Sequence, residues 1–574
     1  MDSRSAAHVL SQIAAYLELS GTNRFKARAY QTAARSLLAA NIDDLSVMLR
    51  TGELARLRGI GPATLAVVRD LVDTGESRYL HQLREQIPES LLEMMRVPGL
   101  STEKILKLHD QAGVSSLDEL ELAARDGRLS KVKGFGPKTA QKLLAAIEFM
   151  RNARHLTLYP HAIITARAIV TAVRSHPDVL QAELAGSLRR AREVVADVDI
   201  VAACEHAPEQ VARSFGRIPG VGEAKQQGSA ITIRFVDGTL LHLYCVTPAR
   251  FGLALWRATG SAEHVADVMQ RLEQRGLRVE DDALIARHAR EVPTPTEEAV
   301  FGVAGMQWIP PELRENQGEA DAARQGELPR LVEPGDIRGA LHCHSEYSDG
   351  KSTIAEIREA AKAKGWSYVG ISDHSQAAFY ASGMTRDRVL DQHEEIDAHN
   401  ARGPGVRILK GIEADILADG RLDYDEELLG RFDYVIASIH SRFKMDGAAI
   451  TERVLRAMDD PHMTILAHPT GRLLLSREPY ALDVEAVLQK AADVGVAVEL
   501  NCDPHRMDLD WRYLKRARDL GVTVEIGPDA HSARSLEWTD LGVSMARKGW
   551  LRCEDVLNAR ETNDVLAFAR RRRA

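Results

Sequence analysis

Residues 339–350 read GALHCHSEYSDG, an apolar start that leads into a polar tip with two histidines and an aspartate. Further runs of this kind follow along the chain: YVGISDHS (368–375), RILKGIEADI (407–416), YVIASIHS (434–441), TILAHPTG (464–471), VAVELNCD (496–503) and VTVEIGPDAHS (522–532). The runs predict buried parallel strands separated by helical stretches. Repeated strand and helix units of this length close most naturally into a barrel.

The polar tips of these strands predict a metal site, because the carboxyl ends of the strands carry the chemistry in such barrels. The candidate metal ligands are His342, His344, Asp349, His374, Glu413, His440, His468, Asp529 and His531. One buried histidine is more often a hydrogen-bonded core residue than a ligand. So many at matching positions indicate a common site. Nitrogen and oxygen ligands without cysteine favour Mn²⁺, Zn²⁺ or iron in a multinuclear centre.

The segment from about Asp336 to the end resembles the polymerase and histidinol phosphatase (PHP) domain. The resemblance lies in the HxH pair of LHCH, the later Asp349, and the metal-binding residues of SDH, GIEAD, SIHS, AHPTG and DAH. It implies a distorted (β/α)7 barrel that hydrolyses phosphoesters with up to three metal ions, Mn²⁺ or Zn²⁺. Ala340 stands where the family often has Asp.

Hydrolysis at such a site needs no nucleophilic side chain. Bound divalent ions lower the pKa of a water molecule and neutralise the charge that develops on the leaving oxygen. His440 and His468 are the catalytic candidates. Arg472 and Arg506 lie just beyond strand tips and are candidates for gripping a substrate phosphate, with ordinary surface arginines as the alternative.

The composition of the 574 residues favours several domains in a reducing, cytoplasmic setting. The five cysteines are scattered and form no CxxC pair, which argues against both a disulfide framework and a thiolate metal site. Neither a long apolar span nor an export leader is present, so no membrane is expected. The net charge of −8 does not favour DNA binding, but residues 1–150 carry a small positive excess.

Residues 1–150 contain a repeated motif in which a tight turn with glycine leads into a helix. The copies are LRGIGPATLAVVRDL (57–71), RVPGLSTEKILKLHD (96–110) and VKGFGPKTAQKLLAAI (132–147). They resemble helix-hairpin-helix elements, which aim backbone N–H groups at nucleic-acid phosphates. The candidate DNA-binding residues are Gly59, Gly61, Gly99, Gly134, Gly136 and Lys138. One such turn is a common helix junction, but three favour sequence-independent DNA binding.

The stretch NRFKARAYQTAARSL (23–37) resembles the start of the small amino-terminal domain of family X DNA polymerases. Relatives with 5′-deoxyribose-phosphate lyase activity carry a Schiff-base lysine in the second helix of the first hairpin. Here that helix reads PATLAVVRD, with Ala63 and Val67 and no lysine. The resemblance therefore implies no lyase nucleophile at the matching positions, while Lys26 and Tyr30 stay candidates for contacting a 5′ phosphate.

The motif LAGSLRRAREVVADVDIVAA (184–203) predicts a nucleotide site. Asp197 and Asp199 lie two apart on a predicted strand, so their carboxylates point to one side and can hold a pair of Mg²⁺ or Mn²⁺ ions. The segment resembles the nucleotidyltransferase-like palm of family X polymerases. Residues 293–315 resemble the close of the polymerase core in bacterial members fused to a PHP barrel. The nucleotide-binding candidates are Gly186, Ser187, Arg190, Gly260 and Ser261.

The same pocket departs from the family pattern. In GTLLHLYCV (238–246), His242 stands at the position of the third catalytic carboxylate. Arg257 and Ala258 replace a Tyr-Phe pair ahead of TGS, and Val265 stands where an Asn is expected. These changes predict a polymerase that is weakened or lost. Because imidazole suits Mn²⁺ better than Mg²⁺, remaining activity should favour Mn²⁺.

The predicted fold is a multidomain chain with a helical front, an α+β palm with thumb, and the barrel. The expected ranges are 1–85 (helical domain with the first hairpin), 86–157 (helical domain with the other two), 158–248 (palm), 249–314 (C-terminal polymerase subdomain), 315–336 (polar linker) and 337–574 (barrel). The linker is expected to leave the two halves free of rigid docking.

The predicted function is DNA repair. The barrel is expected to trim DNA 3′ ends, although abasic-site endonuclease activity stays open, and the front half to bind gapped or nicked DNA and dNTPs. One alternative is a polymerase-inactive DNA-binding repair nuclease. Another is a small-molecule phosphatase, against which the three hairpins speak.

Overall fold

The computed structural model divides the chain into two compact units, Met1–His155 and Leu156–Ala574. It describes residues 1–20, 24–40, 42, 44–57, 59–88, 90–95, 97, 100–153, 155–286, 290–403 and 405–573. Within these residues, none of the helices combines the length and the apolar character needed to cross a membrane.

The first unit is helical throughout its described residues. Its helices are Ser3–Ser20, Arg24–Ala40, Leu45–Thr51, Glu53–Arg56, Pro62–Thr74, Arg78–Gln86, Ser90–Met94, Thr102–Ala112, Leu117–Arg125, Arg128–Lys131 and Pro137–Ala153. Their amphipathic faces form two hydrophobic clusters. One joins buried residues from Ala6 to Leu83, and the other joins Leu19 to buried residues from Leu91 to Ile147.

The predicted hairpin turns lie between helices of this unit. Gly59 has a φ of +82°, and a Cβ there would lie 2.7 Å from Cγ2 of Thr32, so glycine is required by both conformation and space. Gly61 is the N-cap of Pro62–Thr74. Gly134 and Gly136 precede Pro137–Ala153, where Lys138 is exposed. Gly99 of the second hairpin lies outside the described residues.

The second unit begins with the predicted palm, whose described residues form a five-stranded sheet. In spatial order its strands are Val179–Leu184, Val198–Cys204, Leu240–Val246, Ala230–Phe235 and Val221–Gln227. The helices Tyr159–Arg174, Gly186–Arg189 and Pro208–Phe215 accompany it. The parallel pairing of Val198–Cys204 with Leu240–Val246 sets Asp199 opposite His242.

The next subdomain contains the helices Phe251–Thr259, Ala262–Gln274 and Glu297–Ala304, the 3-10 turn Pro311–Leu313 and the short strands Arg278–Glu280, Ala283–Ala286 and Arg290–Val292. Its core is built around Trp256 and Phe301. Leu331 and Trp550, which come from later in the chain, complete the same core.

Residues 315–336, which the sequence predicts to form a polar linker that leaves the two halves free of rigid docking, include a packed helix. This segment forms the helix Glu319–Gln325, and Ala320 and Ala323 are buried in the core described above. The carboxylate of Glu319 is also buried, 2.8 Å from Nδ1 of His264. The composition of the segment is polar. Its helix nevertheless packs against the core, because two small alanines share one helical face and the Glu319 carboxylate is paired with His264.

A buried ionic cluster joins the palm to the barrel within this unit. Glu315 accepts hydrogen bonds from Nε of Arg190 at 2.9 Å and from Nζ of Lys548 at 2.5 Å. Burial lowers the pKa of Lys548 to about 8, against the opposing effect of Glu315. Nearby, the indole of Trp511 donates to Glu193 at 3.0 Å. Breaking a buried pair of this kind leaves an uncompensated charge, so the cluster holds the two parts in one arrangement.

The barrel strands run parallel, in sequence order, in the described part of the domain. Called first to seventh, they are Gly339–Ala340, Tyr368–Ile371, Arg407–Asp415, Tyr434–Ser438, Met463–Leu466, Ala497–Asn501 and Val524–Gly527. A parallel bridge between Cys343 and Ala530 joins the residues after the first strand to those after the seventh. The predicted (β/α)7 barrel is confirmed.

Helices surround this barrel: Ile354–Ala363, Arg386–Asn400, Glu426–Leu429, Gly447–Ala457, Val484–Val494, Trp511–Asp519, Trp538–Lys548 and Thr562–Arg570. Short 3-10 turns lie at Pro334–Asp336, Phe379–Ala381, Ala533–Glu537, Cys553–Asp555 and Leu557–Ala559.

The barrel interior is filled by side chains and is not a pore. Tyr368 and Tyr434, which begin the second and fourth strands, lie in a buried cluster with Phe568 of the last helix. A Cβ on Gly370 or Gly411 would lie 2.1 or 2.2 Å from the Tyr434 side chain, so these strands need glycine to admit the ring. Apolar packing thus occupies the amino ends of the strands and leaves the polar tips at the other end.

Candidate metal centre and polymerase site

The predicted metal ligands all meet at the carboxyl ends of the barrel strands. His342 and His344 follow the first strand, His374 the second, His440 the fourth, His468 the fifth, and Asp529 and His531 the seventh, while Glu413 lies on the third and Asp349 in the first loop. Six of these side chains are buried, the His440 side chain is 11% exposed, and those of Asp349 and His531 are about one-third exposed. The strand ends therefore collect the ligands predicted from the polar tips.

Glu413 is the centre of this cluster. Its Oε2 lies 2.9 Å from Nδ1 of His374, 3.5 Å from Nε2 of His342 and 3.6 Å from Nε2 of His344. Its Oε1 lies 3.0 Å from Nε2 of His468 and 3.4 Å from Nε2 of His440. Burial alone would raise the pKa of Glu413, yet the histidines around it hold that pKa well below its ordinary value.

Two further carboxylates, those of Asp529 and Asp349, lie close to histidines of the same cluster. Oδ1 of Asp529 lies 3.1 Å from Nε2 of His344, and Oδ1 of Asp349 lies 3.4 Å from Nε2 of His531 and 3.7 Å from Nε2 of His374. The donor atoms fall into three groups whose members all lie within 4.8 Å of one another. The groups are His344, Asp349, His374 and His531; His342, His344 and Asp529; and His374, Glu413 and His440.

Four buried atoms of this cluster make no hydrogen bond of acceptable geometry among the described residues, namely Nε2 of His342, Nδ1 of His344, Nδ1 of His374 and Oε2 of Glu413, although the last two lie 2.9 Å apart. Buried polar atoms are almost always paired, because leaving them unpaired costs free energy. Here Oε2 of Glu413 lies 2.9 Å from Nδ1 of His374 and 3.5 Å from Nε2 of His342, and none of these described atoms makes a hydrogen bond of acceptable geometry. Divalent cations would satisfy them, and imidazole with carboxylate is a donor set that suits Mn²⁺, Zn²⁺ or iron. The residues present fit bound metal ions.

Two carboxylates that the sequence analysis did not single out hold the histidines in place. Oδ1 of Asp415 lies 2.7 Å from Nδ1 of His440. Oε1 of Glu499 lies 2.5 Å from Nδ1 of His342, and its Oε2 accepts from the backbone N–H of His468 at 2.6 Å. Such partners fix which ring nitrogen faces a metal. Alternation along a strand could have found Asp415, since it follows Glu413 by two residues and so shares its face.

The two arginines proposed for phosphate binding differ in their surroundings. Nε of Arg506 lies 3.3 Å from Oδ2 of Asp529, and 20% of the Arg506 side chain is exposed, which leaves it at the mouth of the cluster. Arg472 is buried, and it donates to the carbonyl oxygens of Arg506 and Met507 and to Asp510. The donors of Arg472 therefore brace the loop that carries Arg506, so it is not the surface arginine of the alternative, and phosphate binding by Arg472 stays a prediction.

In the palm, His242 lies beside both predicted catalytic aspartates. It is the cross-strand partner of Asp199, and its Nε2 is 3.7 Å from Oδ2 of Asp197. Burial, followed by the charge of Asp197, raises the pKa of Asp199 to about 7. The neighbouring carboxylate of Asp197 raises the pKa of His242. An imidazole therefore occupies the place where a third carboxylate would stand.

The predicted nucleotide-binding turns lie next to this pair. A Cβ on Gly186 would lie 1.9 Å from Oδ2 of Asp199, so the turn abuts the aspartate. Oγ of Ser187 is buried and has no hydrogen-bond partner in the described chain. Oγ of Ser261 accepts from the backbone N–H of His264 at 3.3 Å and caps the helix Ala262–Gln274.

Arg190 differs from the other nucleotide-binding candidates, because two of its guanidinium nitrogens, Nε and Nη1, are already engaged. It donates to Glu315 and to the carbonyl oxygen of Thr259, and a Cβ on Gly260 would lie 2.9 Å from its Nη1. In this arrangement the guanidinium joins the two predicted nucleotide-binding turns to each other. A triphosphate would be met by its remaining nitrogen, Nη2, unless one of these partners is released.

Four segments of the chain match known domains. Residues 1–77 match a helix-hairpin-helix domain, 91–148 a SAM-like helix-hairpin-helix tandem, 254–315 the DNA polymerase beta thumb, and 340–502 the PHP domain. Fold and site together define a polymerase core of the beta type joined to a PHP barrel with a candidate metal centre.

Relatives extend this match to the whole chain. It is 36% identical over 575 residues to the DNA polymerase/3′-5′ exonuclease PolX of Bacillus subtilis, with 100% of both chains covered. Over 28% of its length it is 34% identical to a probable phosphatase of Syntrophotalea carbinolica and 33% identical to one of Acetivibrio thermocellus, covering 64% and 63% of those proteins. The chain belongs to the PolX family of bacterial family X DNA polymerases with a PHP domain, and the predicted resemblance is confirmed.

The central position of Glu413 generates a prediction about metal binding. Glu413→Gln removes the charge shared by the surrounding histidines while keeping the shape of the side chain. We expect the purified variant to retain less Mn²⁺ or Zn²⁺ after dialysis, and metal to raise its melting temperature less than it raises that of the unmodified chain. The control is His399→Gln, on the outer helix Arg386–Asn400. Equal metal content in both variants would contradict the assignment.

Proposed function

We propose that this protein is a DNA repair enzyme whose barrel removes nucleotides from DNA 3′ ends with the help of divalent metal ions. The observation that carries the proposal is the set of buried, unpaired nitrogen and oxygen atoms of His342, His344, His374 and Glu413 at the mouth of the barrel. The full-length relative from Bacillus subtilis, named DNA polymerase/3′-5′ exonuclease, supports the choice of DNA as the substrate.

In this proposal the chain's own residues hold the reacting groups. The ligands are the nine residues predicted from the strand tips, with Asp415 and Glu499 orienting His440 and His342. Divalent ions bound there, Mn²⁺ or Zn²⁺, would activate a water molecule and neutralise charge on the phosphate. Arg506, at the mouth, would contact the phosphate of the terminal nucleotide through its guanidinium.

The helical unit would hold gapped or nicked DNA through its backbone phosphates. Supporting this are the domain matches over residues 1–77 and 91–148 and the exposed Lys131, Lys133 and Lys138 around the third hairpin. Binding through phosphates is independent of base sequence. Phosphate binding of this kind would allow the protein to act on 3′ ends of any sequence.

For the palm we propose dNTP binding and slow nucleotide insertion that favours Mn²⁺ over Mg²⁺. Asp197 and Asp199 would hold two metal ions, and His242 would supply a neutral ligand or none in place of the third carboxylate. Gly186, Ser187, Gly260 and Ser261 would approach the triphosphate. The alternative is a polymerase-inactive repair nuclease, and the engagement of Arg190 by Glu315 and Thr259 favours it.

The barrel assignment predicts separable effects on cleavage and on binding. Because His440 and His468 face Glu413, replacing either with Ala should abolish 3′-to-5′ nuclease activity. DNA affinity, measured by fluorescence anisotropy, should stay nearly unchanged. His399→Gln serves again as the control that keeps nuclease activity. Full nuclease activity in both alanine variants would overturn the assignment.

The hairpin assignment predicts a salt effect. If Lys138 neutralises a phosphate, Lys138→Gln should weaken binding to gapped duplexes of different sequence by a similar factor. It should also make the slope of log affinity against log salt concentration shallower by about 1, because one phosphate contact is lost. The control is Lys107→Gln, since Lys107 is paired with Glu103 at 2.9 Å. Binding that does not depend on salt in the unmodified chain would remove the case for phosphate contacts.

The palm assignment predicts how metals and mutations change insertion. Removing one strong charged interaction at a transition state reduces a rate by about 100- to 1,000-fold. We therefore expect slow insertion in Mg²⁺, partial rescue by Mn²⁺, and loss of activity in Asp199→Ala. His242→Asp should raise the Mg²⁺ rate, measured by primer extension on gapped DNA. If His242→Asp does not raise the Mg²⁺ rate, the defect is assigned instead to Arg257, Ala258 and Val265. Rapid primer extension by the unmodified chain in Mg²⁺ would contradict the proposal.

A further inference from the structure

Two adjacent aromatic side chains are exposed beside the candidate metal centre. Phe379 is 85% exposed and Tyr380 is 59% exposed, in the loop that follows the second barrel strand. A pair of exposed aromatic rings side by side is a candidate site for binding a partner or ligand. These residues are neither candidate metal ligands nor part of the barrel core.

The loop that carries them is held firmly by buried neighbours and backbone hydrogen bonds. Ala378, Ala381 and Met384 are buried, and the backbone N–H of Met384 donates to the carbonyl oxygen of His374 at 2.8 Å. A Cβ on Gly383 would lie 2.0 Å from the carbonyl oxygen of Ser375. A packed loop of this kind presents its aromatic rings in a defined place.

The Tyr380 ring lies beside two of the candidate ligands, and Phe379 contacts Tyr380. The ring centroid of Tyr380 lies 6.0 Å from that of His440 and 6.3 Å from that of His374, and Phe379 meets Tyr380 edge to face at 6.2 Å. Tyr380 therefore borders the metal centre, and Phe379 extends the aromatic surface away from it into solvent.

Positive charge follows on the neighbouring loop. Arg442 and Lys444 come shortly after His440, and both are exposed. Single-stranded nucleic acid is typically held by such a combination, in which aromatic rings stack on bases and cations contact the backbone.

We propose that Phe379 and Tyr380 form a stacking platform for the nucleobase at an unpaired 3′ end of DNA. This inference rests on the proposed exonuclease function. Stacking of the terminal base would set its 5′ phosphate toward the metal centre, and Arg442 and Lys444 would hold the phosphates upstream. Stacking tolerates any base, because every base has a π-face. A base can reach the platform only when it is unpaired, so frayed or single-stranded 3′ ends are the preferred substrates.

The test compares two single-stranded oligonucleotides that differ only at the 3′ terminus. One ends in a normal nucleotide and the other in a tetrahydrofuran residue, which keeps the phosphodiester and lacks the base. With the full-length chain, Phe379→Ala should lower kcat/KM for the normal end by about fivefold or more, mainly through KM. It should leave the abasic end nearly unchanged. Phe379→Trp should restore most of the loss.

A second variant and a control separate stacking from damage to the fold. Tyr380→Leu should show the same dependence on the terminal base, while Tyr380→Phe should behave as the unmodified chain. Tyr513→Ala removes an aromatic ring that is 41% exposed on the outer helix Trp511–Asp519, and it should affect neither substrate.

The outcomes distinguish this inference from the function on which it rests. If the unmodified chain trims both ends and Phe379→Ala changes both rates equally or neither, the stacking platform is wrong and the exonuclease stands. If the unmodified chain releases nothing from either end in Mn²⁺ or Zn²⁺, the exonuclease proposal falls and takes this inference with it.

Discussion

The structure of the barrel depends on one constraint, which is that the Glu413 carboxylate is buried among five histidines. The His342, His344, His374, His440 and His468 rings all lie within 3.6 Å of its oxygens. Donor and acceptor atoms left unpaired in such a place destabilise a fold unless a cation satisfies them. The packed tyrosines at the opposite end of the barrel supply the stability that lets this end hold polar groups.

The polymerase core and the barrel share a second buried polar feature. Glu315 pairs with Arg190 of the palm and with Lys548 of the barrel, so the turn next to Asp199 is connected to an outer barrel helix. A buried cluster of this kind fixes an arrangement more than it adds stability, because desolvation offsets much of the attraction. Arg190 thereby has a structural role at the position where the family pattern suggests a triphosphate contact.

The two candidate sites differ in how complete they are. The barrel cluster contains every predicted ligand and additional carboxylates that orient the rings. The palm retains Asp197, Asp199 and the close approach of Gly186, but an imidazole occupies the third position. The barrel site is therefore the more complete of the two candidate sites.

The sequence by itself determined the barrel strands and predicted nine candidate ligand positions, because each candidate lies on or shortly after an apolar run and the carboxyl ends of parallel strands meet at one end of the barrel. It also determined the first and third hairpin turns, where Gly59 and Gly134 adopt a positive φ that favours glycine. Only the tertiary structure decided that Arg472 is buried, that Arg190 is engaged by Glu315, that Glu319–Gln325 packs as a helix, and that Tyr380 borders the candidate ligands. These features depend on contacts between residues far apart in the chain, and local periodicity carries no information about such contacts.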